Sequence, residues 1–202
     1  MLEELNRSWF LLINATPNSA GWMLDSAQYI ARDLILVMPA LVVILWLWGR
    51  KHEVSAQRQM VLKTAIALVA SLAISWCMGH LFPHARPFAI GLGHNFLYHA
   101  PDNSFPSDHG TTSFTFALAF LFWHRLWSGA LLMAAAVAIA WSRVYLGVHW
   151  PMDMVGALFT SLCGCLIAQL IWNQWGSVLY QRISQLYRYC FAMPIRKGWV
   201  RN

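Results

Sequence analysis

Charged residues make up only 11% of this 202-residue chain, and Asp and Glu together number eight. A soluble domain carries about 25% charged residues, so an ordinary soluble enzyme or nucleic-acid-binding module is a poor fit. Cysteine is also sparse. Cys77, Cys163, Cys165 and Cys190 form no C-x-x-C pair, and Cys163 and Cys165 point to different sides of a helix. That spacing argues against a disulfide framework and against a cysteine metal site. The first residues, Met1–Asn14, lack a basic start, an apolar run and a small-residue cleavage site, so a cleavable secretory signal is not expected. Internal repeats and low-complexity linkers are absent. What is abundant is apolar surface, 58% of residues with a mean hydropathy of +0.48. Composition and length together predict one all-α domain, a polytopic membrane helix bundle.

A membrane-spanning helix needs roughly 17–25 mostly apolar residues. Five stretches meet or approach this: Leu34–Trp48 extended back to about Ala27, Val61–Met78, Gly110–Trp123, Leu131–Val148 and Val155–Trp175. The first extension takes in Arg32 and Asp33, placed near one interface. Residues 1–21 read as an interfacial amphipathic helix closed by the turn-prone run Asn14–Gly21. The core is then about 27–175, and 176–202 is a basic tail.

The loops set the expected orientation. Arg50, Lys51 and Arg58, then His124 and Arg125, then Arg182, Arg188, Arg196, Lys197 and Arg201 fall on one side. The long Gly79–His109 connection holds only Arg86 among Arg and Lys. The positive-inside rule places the basic segments in the cytoplasm and Gly79–His109 outside. The net charge of +6 is thereby read as topogenic charge and anionic-lipid contact, with no nucleic-acid partner expected.

Three distant stretches meet on that outer face in this topology. The end of span two carries His80, His84, Arg86 and Pro87. The start of span three carries Ser104 to Thr111, and the junction of spans four and five carries Ser142 to Asp153. A single His or Arg near a helix end is ordinary interfacial chemistry. Two arginines, two histidines and a carboxylate together at such depth point to function. Pro106 or Ser107 opens span three, leaving backbone N–H groups around His109 and Gly110 for phosphate, with the Ser107 hydroxyl beside them. Arg86 and Arg143 can each grip phosphate oxygens with two prongs. Pro151 opens span five, so Asp153 can hold one nitrogen of His149 and present the other to phosphorus. His109, across the site, can protonate the leaving oxygen. No metal or other cofactor is required for these steps.

The residues Arg86-Pro87, Pro106-Ser107-x-His109 and Ser142-Arg143-x5-His149-x3-Asp153 resemble the three signature motifs of the type-2 phosphatidic acid phosphatase superfamily. The resemblance implies His149 as nucleophile, Asp153 as its partner and His109 as general acid. It implies Arg86, Ser107, Gly110 and Arg143 as phosphate ligands. Two positions depart from the pattern. The usual first-motif Lys is Gly79 here, which leaves His80 or His84 as candidate substitutes, and the second motif has Asp108 where Gly is usual. Pro-Ser-Asp-His is similar to the bacterial undecaprenyl-pyrophosphate phosphatase branch, the bacitracin-resistance type. Asp108 either orients an arginine or tempers the leaving-group site, or is a helix-start acid favoured by the dipole. Asp108 and His80 are therefore possible modulators.

The resemblance implies hydrolysis of undecaprenyl diphosphate at the outer face of a bacterial inner membrane, through a phosphohistidine, with membrane lipids as surroundings. Phosphatidylglycerophosphate and diacylglycerol pyrophosphate are alternative substrates. A His-rich metal- or haem-binding membrane protein is the alternative of another class, with His80 and His84 sharing a helix face, although Pro83 argues against a regular helix there. A non-catalytic scaffold leaves the paired His149 and Asp153 unexplained.

Overall fold

The computed structural model describes residues 1–202 and is all-α, with one isolated antiparallel bridge between Ala85 and Asn103. The helices are α1 (Leu2–Ile13), α2 (Gly21–Arg32), α3 (Val37–Trp48), α4 (Val54–Leu81), α5 (Asp108–Trp123), α6 (Leu126–Tyr145), α7 (Pro151–Cys190) and α8 (Ala192–Arg196). Short 3₁₀ turns cover Leu34–Leu36 and Pro87–Ile90.

Four segments are long and apolar enough to cross a membrane: Gly21–Trp48, Val54–Leu81, Leu126–Tyr145 and Pro151–Cys190. The fifth expected span, α5, has 16 residues. At 1.5 Å per residue it is about 24 Å long, short of a hydrocarbon layer about 30 Å thick. It nevertheless runs the length of the bundle. Ser107 at its start lies beside His149, and Arg125 just past its end pairs with Glu53 at the start of α4. Its central residues are buried between α4, α6 and α7, so its neighbours rather than lipid surround it.

The close packing comes from small side chains. Thr64, Ala67, Ser71 and Ser75 repeat at helical spacing along one buried face of α4. They face Gly164, where an added Cβ would lie 2.0 Å from Ser71 Oγ and 2.7 Å from the Ala67 carbonyl. Small residues of this kind let helices approach where lipid gives no hydrophobic drive. Between α5 and α7, Thr115 donates to Ser161 (3.1 Å) and Ser161 to the Thr111 carbonyl (2.8 Å). Many large apolar side chains turn outward: Val69, Trp76, Leu131, Phe159, Leu166 and Leu170 are exposed.

One expectation changes at the start of the first span, and both ends of the chain pack onto the bundle. The first span begins at Gly21, not near Ala27, and is broken by the 3₁₀ turn after Asp33, whose carboxylate pairs with Arg32 at 3.3 Å. The amphipathic N-terminal helix α1 is docked as well as amphipathic. Asn6 and Phe10 are buried against the start of α7, where the Asn6 side-chain Oδ1 accepts the Met152 amide and Phe10 meets Trp150 at 5.2 Å. The basic tail is helical for much of its length. Helix α7 runs 40 residues to Cys190, and the chain then returns so that Trp48 donates to the Trp199 carbonyl and Arg58 to that of Arg201.

Candidate active site

The end of α6, the turn to α7, the start of α5 and the Gly79–His109 connection converge at one end of the bundle. Local rules set each piece. Ser107 caps α5, its Oγ accepting the Gly110 amide at 3.3 Å. Pro151 occupies the first position of α7, where its missing N–H costs nothing. Gly147 takes φ +85°, and a Cβ there would lie 2.1 Å from the His94 carbonyl, so the turn that presents His149 needs glycine. Asn14 stitches the layers together, donating to the His94 and Tyr145 carbonyls and accepting the His94 amide.

His149 is the centre. Its Nε2 lies 3.1 Å from an Arg86 guanidinium nitrogen, 3.3 Å from Ser107 Oγ and 3.5 Å from an Arg143 guanidinium nitrogen. Its Nδ1 lies 3.0 Å from Asp153 Oδ2. That oxygen also accepts the Trp150 amide at 2.8 Å and the Ser104 hydroxyl. A carboxylate with three donors on one oxygen is restrained on that side, and it fixes the imidazole with Nε2 toward the arginines. Burial, with Arg143 and Arg86 adding, pushes the His149 pKa down to about 4 against the opposing pull of Asp153. The ring is therefore neutral near pH 7, with a free lone pair on Nε2.

The two arginines are anchored differently. Arg86 donates to Asp102 (2.8 Å), the Val148 carbonyl (2.8 Å) and the Asn103 carbonyl (3.3 Å). Arg143 is also buried but makes one protein contact under 3.5 Å, to the Ala31 carbonyl at 3.4 Å, and its Nε has no partner. A buried guanidinium with a bare Nε–H and one Nη beside a histidine nitrogen suits an anion with several oxygens.

His109 lines a cleft of about 830 Å³ next to this cluster, together with Asp108, Ser75, His80, Asp102 and Thr112. Asp108 accepts from Ser75 at 3.4 Å and makes no hydrogen bond or ion pair with either arginine. His80 Nδ1 donates to the Trp76 carbonyl within its own helix, and the ring reaches the cleft wall only. Gly110 is placed at a helix crossing. Its amide is taken by Ser107, and a Cβ would meet Ala157 at 2.9 Å and Met154 at 3.2 Å.

Several site residues escaped the sequence reading: Ser104 on Asp153, Asp102 on Arg86, and Asn103. Asn103 is a hub that accepts the His84 amide (2.6 Å) and donates to the Gly79 (3.1 Å) and Phe105 (2.6 Å) carbonyls. A Cβ on Gly79 would lie 2.7 Å from the Asn103 amide nitrogen. The position of the usual first-motif Lys is thus filled by the chain's own asparagine rather than by another cation. The alternative metal pair is separated, since α4 ends at Leu81 and His84 turns away toward Asp153 (4.0 Å). The connection lies across the site, with His99 edge-on to His149 at 6.1 Å between ring centres. Burial, with Arg86 and Arg143 adding, lowers the His99 pKa, so it too is neutral there.

The model of the PAP2 superfamily matches residues 58–177. YbjG of Escherichia coli (strain K12), which bears a provisional undecaprenyl-diphosphatase name, is 66% identical over 202 residues, all of both chains. The undecaprenyl-diphosphatase BcrC of Bacillus subtilis (strain 168) is 31% identical over 141 residues, 69% of this chain and 70% of that one. The fold is similar to the crystal structure of Aquifex aeolicus LpxE, with a TM-score of 0.63 at 24% identity, covering 82% of this chain and 94% of that one.

Proposed function

The chain belongs to the PAP2 superfamily, and on that premise we propose that it is an undecaprenyl-diphosphatase. At the coarser level it is a multi-pass membrane protein and a lipid phosphatase. The observation that carries the finer reading is the position of His149 Nε2, between Ser107, Arg86 and Arg143 and backed by Asp153.

The terminal phosphate of the C55 diphosphate enters among the arginines and Ser107, displacing their present contacts with Nε2. The Nε2 lone pair forms a bond to phosphorus as the bond to the bridging oxygen breaks. The negative charge of the bound diphosphate favours the imidazolium form of His109, and that ring, on the cleft side, gives the departing oxygen of the lipid monophosphate a proton. The phosphorylated imidazole keeps its proton on Nδ1 and is cationic, and the Asp153 carboxylate neutralises it. Water then attacks phosphorus, His109 takes its proton, the P–N bond breaks, and inorganic phosphate leaves. Arg86 and Arg143 hold the charge on the equatorial oxygens throughout. No step in this scheme calls for a metal.

The site end carries no Arg or Lys-rich loop, while Arg50, Lys51, Arg125 and the tail lie at the other end. This asymmetry supports an outward-facing site in the inner membrane, so that the enzyme recycles the lipid carrier for cell-wall synthesis. Removing the diphosphate that bacitracin sequesters would confer resistance to that antibiotic. The test is phosphate release from C55 diphosphate in detergent, beside phosphatidylglycerophosphate and diacylglycerol pyrophosphate. The reading predicts preference for the C55 diphosphate and its loss in His149→Ala. Equal or better turnover of another lipid would overturn the substrate assignment.

A further inference from the structure

Asp153 is fully buried, and while its Oδ2 carries three donors, its Oδ1 has no hydrogen-bond partner. On that side stands His84, with Nδ1 4.0 Å from Asp153 Oδ1. The other ring nitrogen, Nε2, is 3.6 Å from Glu3 Oε2 on α1. His84 is held from behind, its amide bonded to Asn103 and its ring tilted against Trp150 at 5.5 Å. This side has its own opening, a cleft of about 410 Å³ lined by Leu2, Glu3, Phe82, Met152, His84 and Asp153. His109 lines the other cleft, so Asp153 is reached from a side that His109 does not share.

We propose that His84, as an imidazolium bridging Glu3 and Asp153, is a positioning residue that holds the Asp153 carboxylate in register with His149 and makes that register depend on the seating of α1. The inference rests on the reading of His149 as nucleophile. A neutral imidazole has one N–H and would turn a bare nitrogen toward one carboxylate. Both His84 nitrogens face carboxylates, so the doubly protonated ring fits both. A shift of about 1 Å in the ring brings Nδ1 within hydrogen-bond reach of Oδ1.

The charged groups that face His84 are Glu3 and Arg7 from α1 and Asp153 from α7; Arg7 is held at Glu3, 3.0 Å away. The neighbouring Asp153 carboxylate raises the His84 pKa above its ordinary value; burial opposes, and Glu3 adds. The sign follows. The charged ring is present at lower pH and is lost as pH rises through the raised value, so its contribution to turnover falls on the alkaline side.

The experiment measures kcat and KM for phosphate release from C55 diphosphate across the neutral and alkaline range. The proteins are wild type, His84→Gln, His84→Ala and Glu3→Gln, with thermal unfolding in detergent as the fold control. Glu3 is half-exposed, so Glu3→Gln is the variant that tests the bridge with least risk to folding. His84→Ala should lower kcat about ten- to a hundredfold with KM unchanged. His84→Gln should lack the alkaline fall assigned to His84, and Glu3→Gln should move that fall to lower pH. Profiles of His84→Gln and Glu3→Gln that superimpose on wild type would overturn the proposal, as would a rise in KM at constant kcat. His149→Ala, run alongside, separates the two readings. Activity surviving there removes the nucleophile assignment, whereas its loss with unchanged His84 and Glu3 profiles removes the positioning role alone.

Discussion

Replacing Asp153 by Asn keeps the shape of the site and removes one charge. The Asn carbonyl oxygen can still accept the Trp150 amide, the Ser104 hydroxyl and the His149 Nδ1 proton that Oδ2 now accepts. Substrate affinity should therefore change little, because Asp153 stands behind His149 and away from Arg86 and Arg143. The cost appears when His149 becomes cationic on phosphorylation. A buried cation 3.0 Å from its counter-charge then loses that partner. Removing one member of a buried pair costs about 3–5 kcal/mol. Placed on the barrier, that is a fall in kcat of about 10²–10⁴-fold. Steady-state phosphate release from C55 diphosphate reads kcat and KM separately. A loss under about tenfold, or one confined to KM, would refute the view that Asp153 supports a cationic intermediate.

Other consequences follow from the same geometry. Arg143→Lys loses the unpartnered Nε–H and the planar fork, so kcat/KM should fall about 10²-fold in the same assay, with unfolding in detergent little changed. Ser104→Ala frees one donor from Asp153 and should lower kcat about tenfold without altering KM. Because His149 stays neutral down to about 4, the acidic limb of kcat/KM due to this ring should lie near there, not near 6.5. For stability, the unfolded chain binds a proton on this His below its ordinary value and the folded chain does not, so the contribution present at neutral pH is lost as pH falls from about 6.5 toward 4. A pH series of thermal unfolding, wild type beside His149→Gln, checks the sign. Gly164→Leu forces a side chain into Ser71 Oγ and the Ala67 carbonyl and should destabilise the α4–α7 contact by about 1–3 kcal/mol, read as a lowered unfolding temperature.

The parts of this molecule that were legible in its sequence are those with a local cause. Pro151 begins α7 and Ser107 caps α5 because each residue type is suited to a helix start. Arg86, Ser107, Arg143, His149 and Asp153 could be gathered on paper because alternating spans return the chain to one end, and the structure does bring these five together. Gly110 lies in the same first turn, where its amide donates to Ser107 and its lack of a side chain admits Ala157. The residues missed were those placed by the irregular connection. Asp102, Asn103 and Ser104 reach the site through the Ala85–Asn103 bridge, a pairing across a loop with no periodic pattern to announce it. The one available signal was polarity, three consecutive polar side chains just before the Pro106-Ser107 motif. The continuation of α7 past Trp175 was hidden for another reason. Its residues are too polar for a span, and the later ones are held by Tyr187, which packs edge-on against Trp46 at 5.8 Å and beneath the Arg58 guanidinium at 4.4 Å. Such tertiary packing, not propensity, carries most of a helix's stability.

The central claim is a bond between His149 Nε2 and phosphorus. The direct measurement is a rapid acid-free quench of the enzyme during turnover of C55 diphosphate labelled in its terminal phosphate, followed by mapping of protein-bound label. The account predicts an acid-labile, alkali-stable phosphate on His149, absent in His149→Ala and accumulating when the water-attack step is slowed. Label on another residue, or full turnover with no protein-bound phosphate at any time, would contradict it.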